Sequence, residues 1–272
     1  MSKISIVTAF YDIGRGSWTP DKGLPHYLQR SNDVYIERFK HLLKLDNEII
    51  VYTSPDLSDV IKSVCLGRPN TKVIAMDIIG EFHNMRAAIE KIQKSTDYQS
   101  MINPSQIKNP EYWNPDYVLV TNLKAYFVNH AINNYGVEND MVAWIDFGYC
   151  RSESNIPESK TWQYDFDQDL IHMFCYKHYD NRVISEIIAN NDVYILGAKV
   201  VAHKKNWPKL AYLMTCAFNQ LYRNGMVDDD QGLWLISYLL QPKIFSLHPI
   251  PDHQLGHDPF VLFNEFNTTC QK

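Results

Sequence analysis

The chain has 272 residues, 45% of them hydrophobic and 21% charged; it is long enough for one large core, and no apolar run reaches the roughly 18 residues that span a bilayer. A net charge of -5 excludes the broad basic surface that nucleic-acid binding needs, so no nucleic acid is expected as a partner. Five cysteines without a C-x-x-C pair exclude a disulfide framework and a zinc knuckle.

The run Ile4 to Phe10 reads as a buried strand, and Tyr-Asp-Ile-Gly-Arg-Gly then forms a loop punctuated by two glycines. No small-residue cleavage site follows that apolar run, so a cytoplasmic location is expected, with at most peripheral contact at the inner face of the membrane. Tyr35 to Leu45 carries apolar residues at helical spacing, and Glu48 to Thr53 is a second strand. Strand, helix and strand begin a parallel α/β sheet. Val73 to Asp77 reads as a third strand, Glu81 to Lys94 as a helix, and Ser95 to Pro115, with three prolines, as a loop or broken helix. Thr121 to Tyr135 has the period of one helix, and Met141 to Ile145 that of a central strand. Further on, Val193 to Ala202 is strand-like, while Lys209 to Asn224 and Leu233 to Leu240 are helical. The expected fold is a single α/β domain over 1–272, Rossmann-like, with a mixed, mostly parallel central sheet flanked by helices. Its nucleotide-binding half covers about 1–150 and its acceptor-binding half about 151–272.

Asp146 stands directly after the central strand, where open α/β sheets bind ligands, and Gly148 gives the backbone room to approach a phosphate or sugar. A carboxylate there suits a hard divalent cation, although a helix cap or surface turn uses acids equally well. Asp228-Asp229-Asp230 precede a helix. At least one is expected to cap it, but three exceed that need, and Gln231 adds an amide able to meet a sugar hydroxyl. Asp230 and Gln231 are therefore the catalytic candidates. Three histidines, His248, His253 and His257, lie in a proline-rich C-terminal segment and include a candidate metal ligand. Asp165-Phe166-Asp167-Gln168-Asp169 looks like a D-x-D motif, but no apolar strand leads into it and its acids are expected to be solvated. Aromatics reach 13%, and those beside polar residues suit sugars and bases as well as core packing.

The segments IVTAFYDIGRG, YIERFKHLLKL, VYTS and WIDFGYCR resemble the bacterial HtrL/YibB family over nearly the whole chain. That family is similar to GT-A glycosyltransferases, which implies a GT-A-like fold, a UDP-sugar donor, Mn²⁺ or Mg²⁺, and an oligosaccharide or lipid-linked glycan acceptor in lipopolysaccharide core or other surface-glycan assembly. Asp230-Gln231-Gly232-Leu233 and His253-Gln254-Leu255-Gly256 further resemble two blocks of glycogenin-type transferases, and the first leans toward retaining chemistry. Two departures stand out: Asp146-Phe147-Gly148 lacks the second acid of D-x-D, and Asp258 replaces the lysine expected after the histidine block. With that resemblance, Thr8, Ala9, Tyr11, Asp12 and Arg15 are expected to hold the nucleotide and Asp146 and His253 the metal, while Arg15 in the first loop and Lys124 on the helix before the Asp146 strand, both expected near that sheet edge, are the cations nominated to compensate the diphosphate. His248 and His257 are alternatives to His253. A non-catalytic nucleotide- or glycan-binding protein and a metal-dependent phosphoesterase are the competing expectations.

Overall fold

A computed structural model describes residues 2–250 and 260. In strand β1 (Ser2–Phe10), Ile4, Ile6 and Phe10 enter one apolar core while Val7 and Ala9 enter another. A strand apolar on both faces must be covered on both, which places it inside a parallel sheet. Helix α1 (Asn32–Leu42) covers the first face with Phe39 and Leu42. The chain returns as β2 (Ile49–Thr53), wholly buried and parallel to β1 with Ile49 opposite Ile6. After α2 (Ser58–Val64), β3 (Thr71–Ala75) pairs in parallel with β2 at the sheet edge.

Between β3 and the next strand come α3 (Ile78–Glu81), α4 (His83–Gln93), α5 (Thr96–Met101), α6 (Pro115–Asn122) and α7 (Lys124–Tyr135). Asn114 caps α6 by accepting from the Tyr117 amide, with Pro115 in the first turn. The single helix expected over 121–135 is broken at Leu123. Thr121 donates its hydroxyl to the carbonyls of Tyr117 and Val118, and Asn122 reaches out to the Asp228 carbonyl at 3.2 Å. Such bonds compete with the helical ladder. The break makes Lys124 the first residue of a new helix, which runs to Gly136 in the left-handed conformation.

Strand β4 (Met141–Ile145), buried throughout, lies beside β1 in parallel. β5 (Gln163–Tyr164) pairs with the start of β1, and β6 (Ile171–Cys175), α8 (Ile184–Ala189) and β7 (Ile195–His203) follow. Helices α9 (Trp207–Arg223) and α10 (Asp230–Leu240) lead to β8 (Phe245–Pro249). The strand order is β3-β2-β1-β4-β7-β6-β8, with β7 antiparallel to both β4 and β6. This is the mixed, mostly parallel sheet flanked by helices that the sequence led us to expect. One sheet runs through both halves of the chain. β6 and β8 were not foreseen, and Pro249, which donates no backbone hydrogen bond, suits the edge position of β8.

Candidate functional site

β1, β2 and β4 end on the same edge of the sheet, and the reversed β7 begins there. A cavity of about 450 Å³ opens at this edge, within the range of small-ligand sites. Asp146 leaves β4 with its amide donating to the Ala198 carbonyl of β7 at 2.9 Å, which fixes the carboxylate at the cavity wall.

The floor is a buried charge cluster. Lys124 Nζ lies 2.8 Å from Asp146 Oδ1 and 2.9 Å from Asp230 Oδ2, and it donates to the Gly197 carbonyl at 3.0 Å. All three ammonium hydrogens thus have acceptors. The indole of Trp144 donates to Asp146 Oδ1 at 2.7 Å and that of Trp234 to Asp230 Oδ2 at 3.0 Å. The Lys124 and Asp230 side chains are 6% and 4% exposed, whereas that of Asp146 is 38% exposed toward the cavity. Gly197 makes the arrangement possible, because a Cβ there would fall 2.1 Å from Asp230 Oδ2.

The acids on α10 divide their work. Asp229 caps the helix by accepting from the Gln231 amide at 2.9 Å and also takes the Tyr117 hydroxyl at 3.2 Å. Asp228 packs over Gly232, where a Cβ would meet its Oδ2 at 1.9 Å. Glu111, buried, lines the same floor, and its Oε1 has no hydrogen-bond partner among the described residues. Burial lifts Asp230 to about 7, the opposing pull of Lys124 being partly cancelled by Asp229 and Asp146. Burial and the nearby Asp229 lift Glu111 to about 8. Burial alone would lower Lys124, but Asp146 and Asp230 more than offset it and hold the amine protonated. One ammonium does not neutralise so many carboxyls, and Asp230 and Glu111 therefore hold their protons above the usual carboxylate range.

The other candidates from sequence fall as follows. Ala9, Tyr11, Asp12, Arg15, Gly148 and Gln231 line the cavity together with Lys124, Asp146 and Asp230, whereas Thr8 is buried within β1 and does not reach it. Tyr11 donates to the Met76 carbonyl. Asp12 shapes the first loop by accepting from the Gly14 amide and the Asn32 side chain. Arg15 bonds the Leu28 carbonyl and the Tyr35 hydroxyl. Glycine at 148 also makes room for a neighbour, for a Cβ there would lie 2.6 Å from the Tyr35 ring. Gln231 uses only its backbone amide, so its side-chain amide has no partner among the described residues.

His253 and His257 lie outside the described residues. His248, on β8, faces His172 with Nε2 and Nδ1 2.9 Å apart, and it does not line the cavity. His172 Nε2 lies 2.8 Å from the Asp167 carbonyl, which can only accept, so the His172 ring donates there and accepts from His248. Asp169 pairs with Lys205 near the start of β6, consistent with solvated acids in that run. Among the described residues no three His, Cys, Asp or Glu side chains are grouped to hold a metal ion. Asp146 and Asp230 each turn an oxygen to Lys124 rather than to a shared cation position. The described residues therefore do not form a metal site by themselves.

Sequence reading missed Glu111, Tyr117, Arg30 and Arg151, all of which line the cavity. Arg151 closes the WIDFGYCR block, which is the available signal; Glu111 sits in the proline-containing segment 95–115, which reads as a loop or broken helix.

Among the described residues no helix is long and apolar enough to cross a membrane. The chain is 42% identical over 251 residues to Protein HtrL of Escherichia coli (strain K12), which covers 91% of this chain and 88% of that one. The crystal structure of mouse xyloside xylosyltransferase 1 in its apo form resembles it with a TM-score of 0.46 at 11% identity, covering 90% of this chain and 84% of the mouse chain. A likeness at that score carries no argument about activity. The family model described as "Bacterial protein of unknown function (HtrL_YibB)" matches residues 2–266, and with the identity to Protein HtrL this establishes that the chain belongs to the HtrL_YibB family.

Proposed function

We propose that this protein is a glycosyltransferase that moves a hexose from a UDP-sugar to a hydroxyl of an oligosaccharide or lipid-linked glycan, in lipopolysaccharide core or other surface-glycan assembly. The observation that supports it best is the cavity at the carboxyl edge of β1 and β4, where Asp146, Lys124, Asp230 and Gln231 converge. Transfer breaks the bond between the anomeric carbon and the diphosphate oxygen, which leaves with its electron pair as UDP, and joins that carbon to the acceptor oxygen, whose proton passes to the released diphosphate or to water. Such chemistry needs a fixed frame around a centre where charge changes. Lys124, Trp144 and Trp234 hold Asp146 and Asp230 in that frame, and the side-chain amide of Gln231, unpartnered among the described residues, would meet a sugar hydroxyl beside the anomeric centre. Thr8, buried in β1, supports β1 rather than the ligand in this reading; Ala9, Tyr11, Asp12, Arg15 and Gly148 would face the nucleotide. A divalent cation, Mn²⁺ or Mg²⁺, held by Asp146 with His253 is part of the same proposal. When bound, it would neutralise charge on the departing diphosphate.

The test is a panel of UDP-sugars with and without Mn²⁺, read by thermal shift and by release of UDP. Ligand that binds only the folded chain raises its Tm. Asp146→Asn is expected to abolish UDP release and weaken the thermal shift, and the proposal fails if no sugar nucleotide binds or is cleaved, or if Asp146→Asn leaves both binding and UDP release intact. A second reading, a nucleotide- or glycan-binding protein without turnover, is favoured by one observation: position 148 packs against Tyr35 and has no room for a second carboxylate. Binding without UDP release or sugar transfer across the panel would select it.

A further inference from the structure

Four arginines gather beside this cavity from three segments. Arg15 follows β1, Arg30 and Arg38 precede and occupy α1, and Arg151 follows β4. Arg15, Arg30 and Arg151 line the cavity, and the Arg38 stem lies 3.7 Å from where a Cβ on Gly148 would stand. None of the four pairs with an acid among the described residues, where the arginine ion pairs are those of Arg86 and Arg182. Asp12 is engaged by Gly14 and Asn32, and Glu37 by Lys40. Arg38 Nη1 is buried without a hydrogen-bond partner among the described residues. Burial lowers Arg15, Arg38 and Arg151, and the arginines depress one another further: Arg30 acts on all three, Arg15 on Arg38, and Arg38 on Arg151. Like charges assembled without a counter-charge oppose folding. A fold that keeps them beside this cavity has a use for the field they create.

We propose that Arg15, Arg30, Arg38 and Arg151 form a phosphoryl-binding site that takes a phosphate monoester or a diphosphate, carried either by the sugar donor or by a phosphorylated acceptor. The planar guanidinium fork matches phosphate oxygens bidentately. Lys124 cannot serve in their place, because all its donors are spent on Asp146, Asp230 and Gly197. The inference rests on reading this cavity as the substrate pocket, but it does not depend on sugar transfer.

Calorimetric titration of the full chain with pyrophosphate, UDP, a hexose 6-phosphate and the free hexose tests it, with Arg30→Gln and Arg151→Gln as variants. At least one phosphorylated probe is expected to lose about tenfold or more in affinity in both variants, the loss of a charge-assisted hydrogen bond, while Tm stays unchanged. Parallel losses for pyrophosphate and UDP assign the phosphoryl group to the donor; a loss confined to the hexose 6-phosphate assigns it to the acceptor. The site is overturned if none of the three phosphorylated probes is weakened by either variant. A chain that binds these probes through the arginines but never cleaves or binds a sugar nucleotide keeps the site and loses the transferase reading. Normal sugar transfer with no effect of the arginine variants does the reverse.

Discussion

The floor and the rim of the cavity are both rich in charge, yet they are built on opposite plans. On the floor, Lys124 is locked between Asp146 and Asp230, each carboxylate also receiving an indole N–H. At the rim, the arginines lack ion-pair partners among the described residues. Paired and buried charges specify position, since a misplaced group would be left desolvated and unpaired. Unpaired charges near solvent specify little about the fold and act instead on what approaches it. The same cavity thus separates a part that holds its own geometry from a part that awaits a ligand.

The largest effect should come from the floor. Lys124→Met leaves Asp146 and Asp230 without their counter-charge, and a stability loss of about 3–5 kcal/mol is expected by urea unfolding. A loss below about 1 kcal/mol, the range of exposed pairs, would break the contrast. A smaller effect, and one of opposite sign at high pH, is expected at Glu111. The folded state keeps Glu111 protonated up to about 8 while the unfolded chain releases that proton in the ordinary carboxylate range. The fold therefore binds more protons than the unfolded chain across that window, and stability falls as pH rises from about 4.5 to about 8. Asp230, raised to about 7, acts in the same direction. Glu111→Gln should shrink the drop in Tm between about pH 5 and about pH 8.5, and an unaltered drop would show that Glu111 does not carry the charge strain assigned to it. The smallest effect belongs to the rim. Arg151→Gln removes one of several mutually repelling cations, so its stability should stay within about 0.5 kcal/mol of the parent; a clear destabilisation would mean that the rim, too, is structural.

How much of this was legible in the sequence follows the same division. Runs such as IIVYT and MVAWI announce parallel strands because both faces are apolar, and the period of α1 announces the helix between them. β6 escaped notice because His172 interrupts its apolar run, although that ring is satisfied by Asp167 and His248 inside the core. Asp146 was legible from its place after β4, and one cap among Asp228, Asp229 and Asp230 was expected from the helix they precede; it is Asp229. That Lys124 would be spent on two carboxylates was not legible, since its partner Asp230 lies 106 residues away and no local period encodes such a meeting. Of the rim, Arg15 alone was expected, from its place in the loop after β1; YIERFK and WIDFGYCR reveal an arginine apiece but not that α1 and the loop after β4 bring them to it.

The absence of a side chain at position 197 has one more consequence. The Asp230 carboxylate fills the volume that a Cβ on β7 would claim, so α10 cannot slide or roll along β7 without driving that carboxylate into backbone. Strand and helix are keyed together by shape. High salt weakens attraction between exposed charges but does not soften a steric fit, and the spacing between β7 and α10 should survive ionic conditions under which the arginine rim has lost its pull.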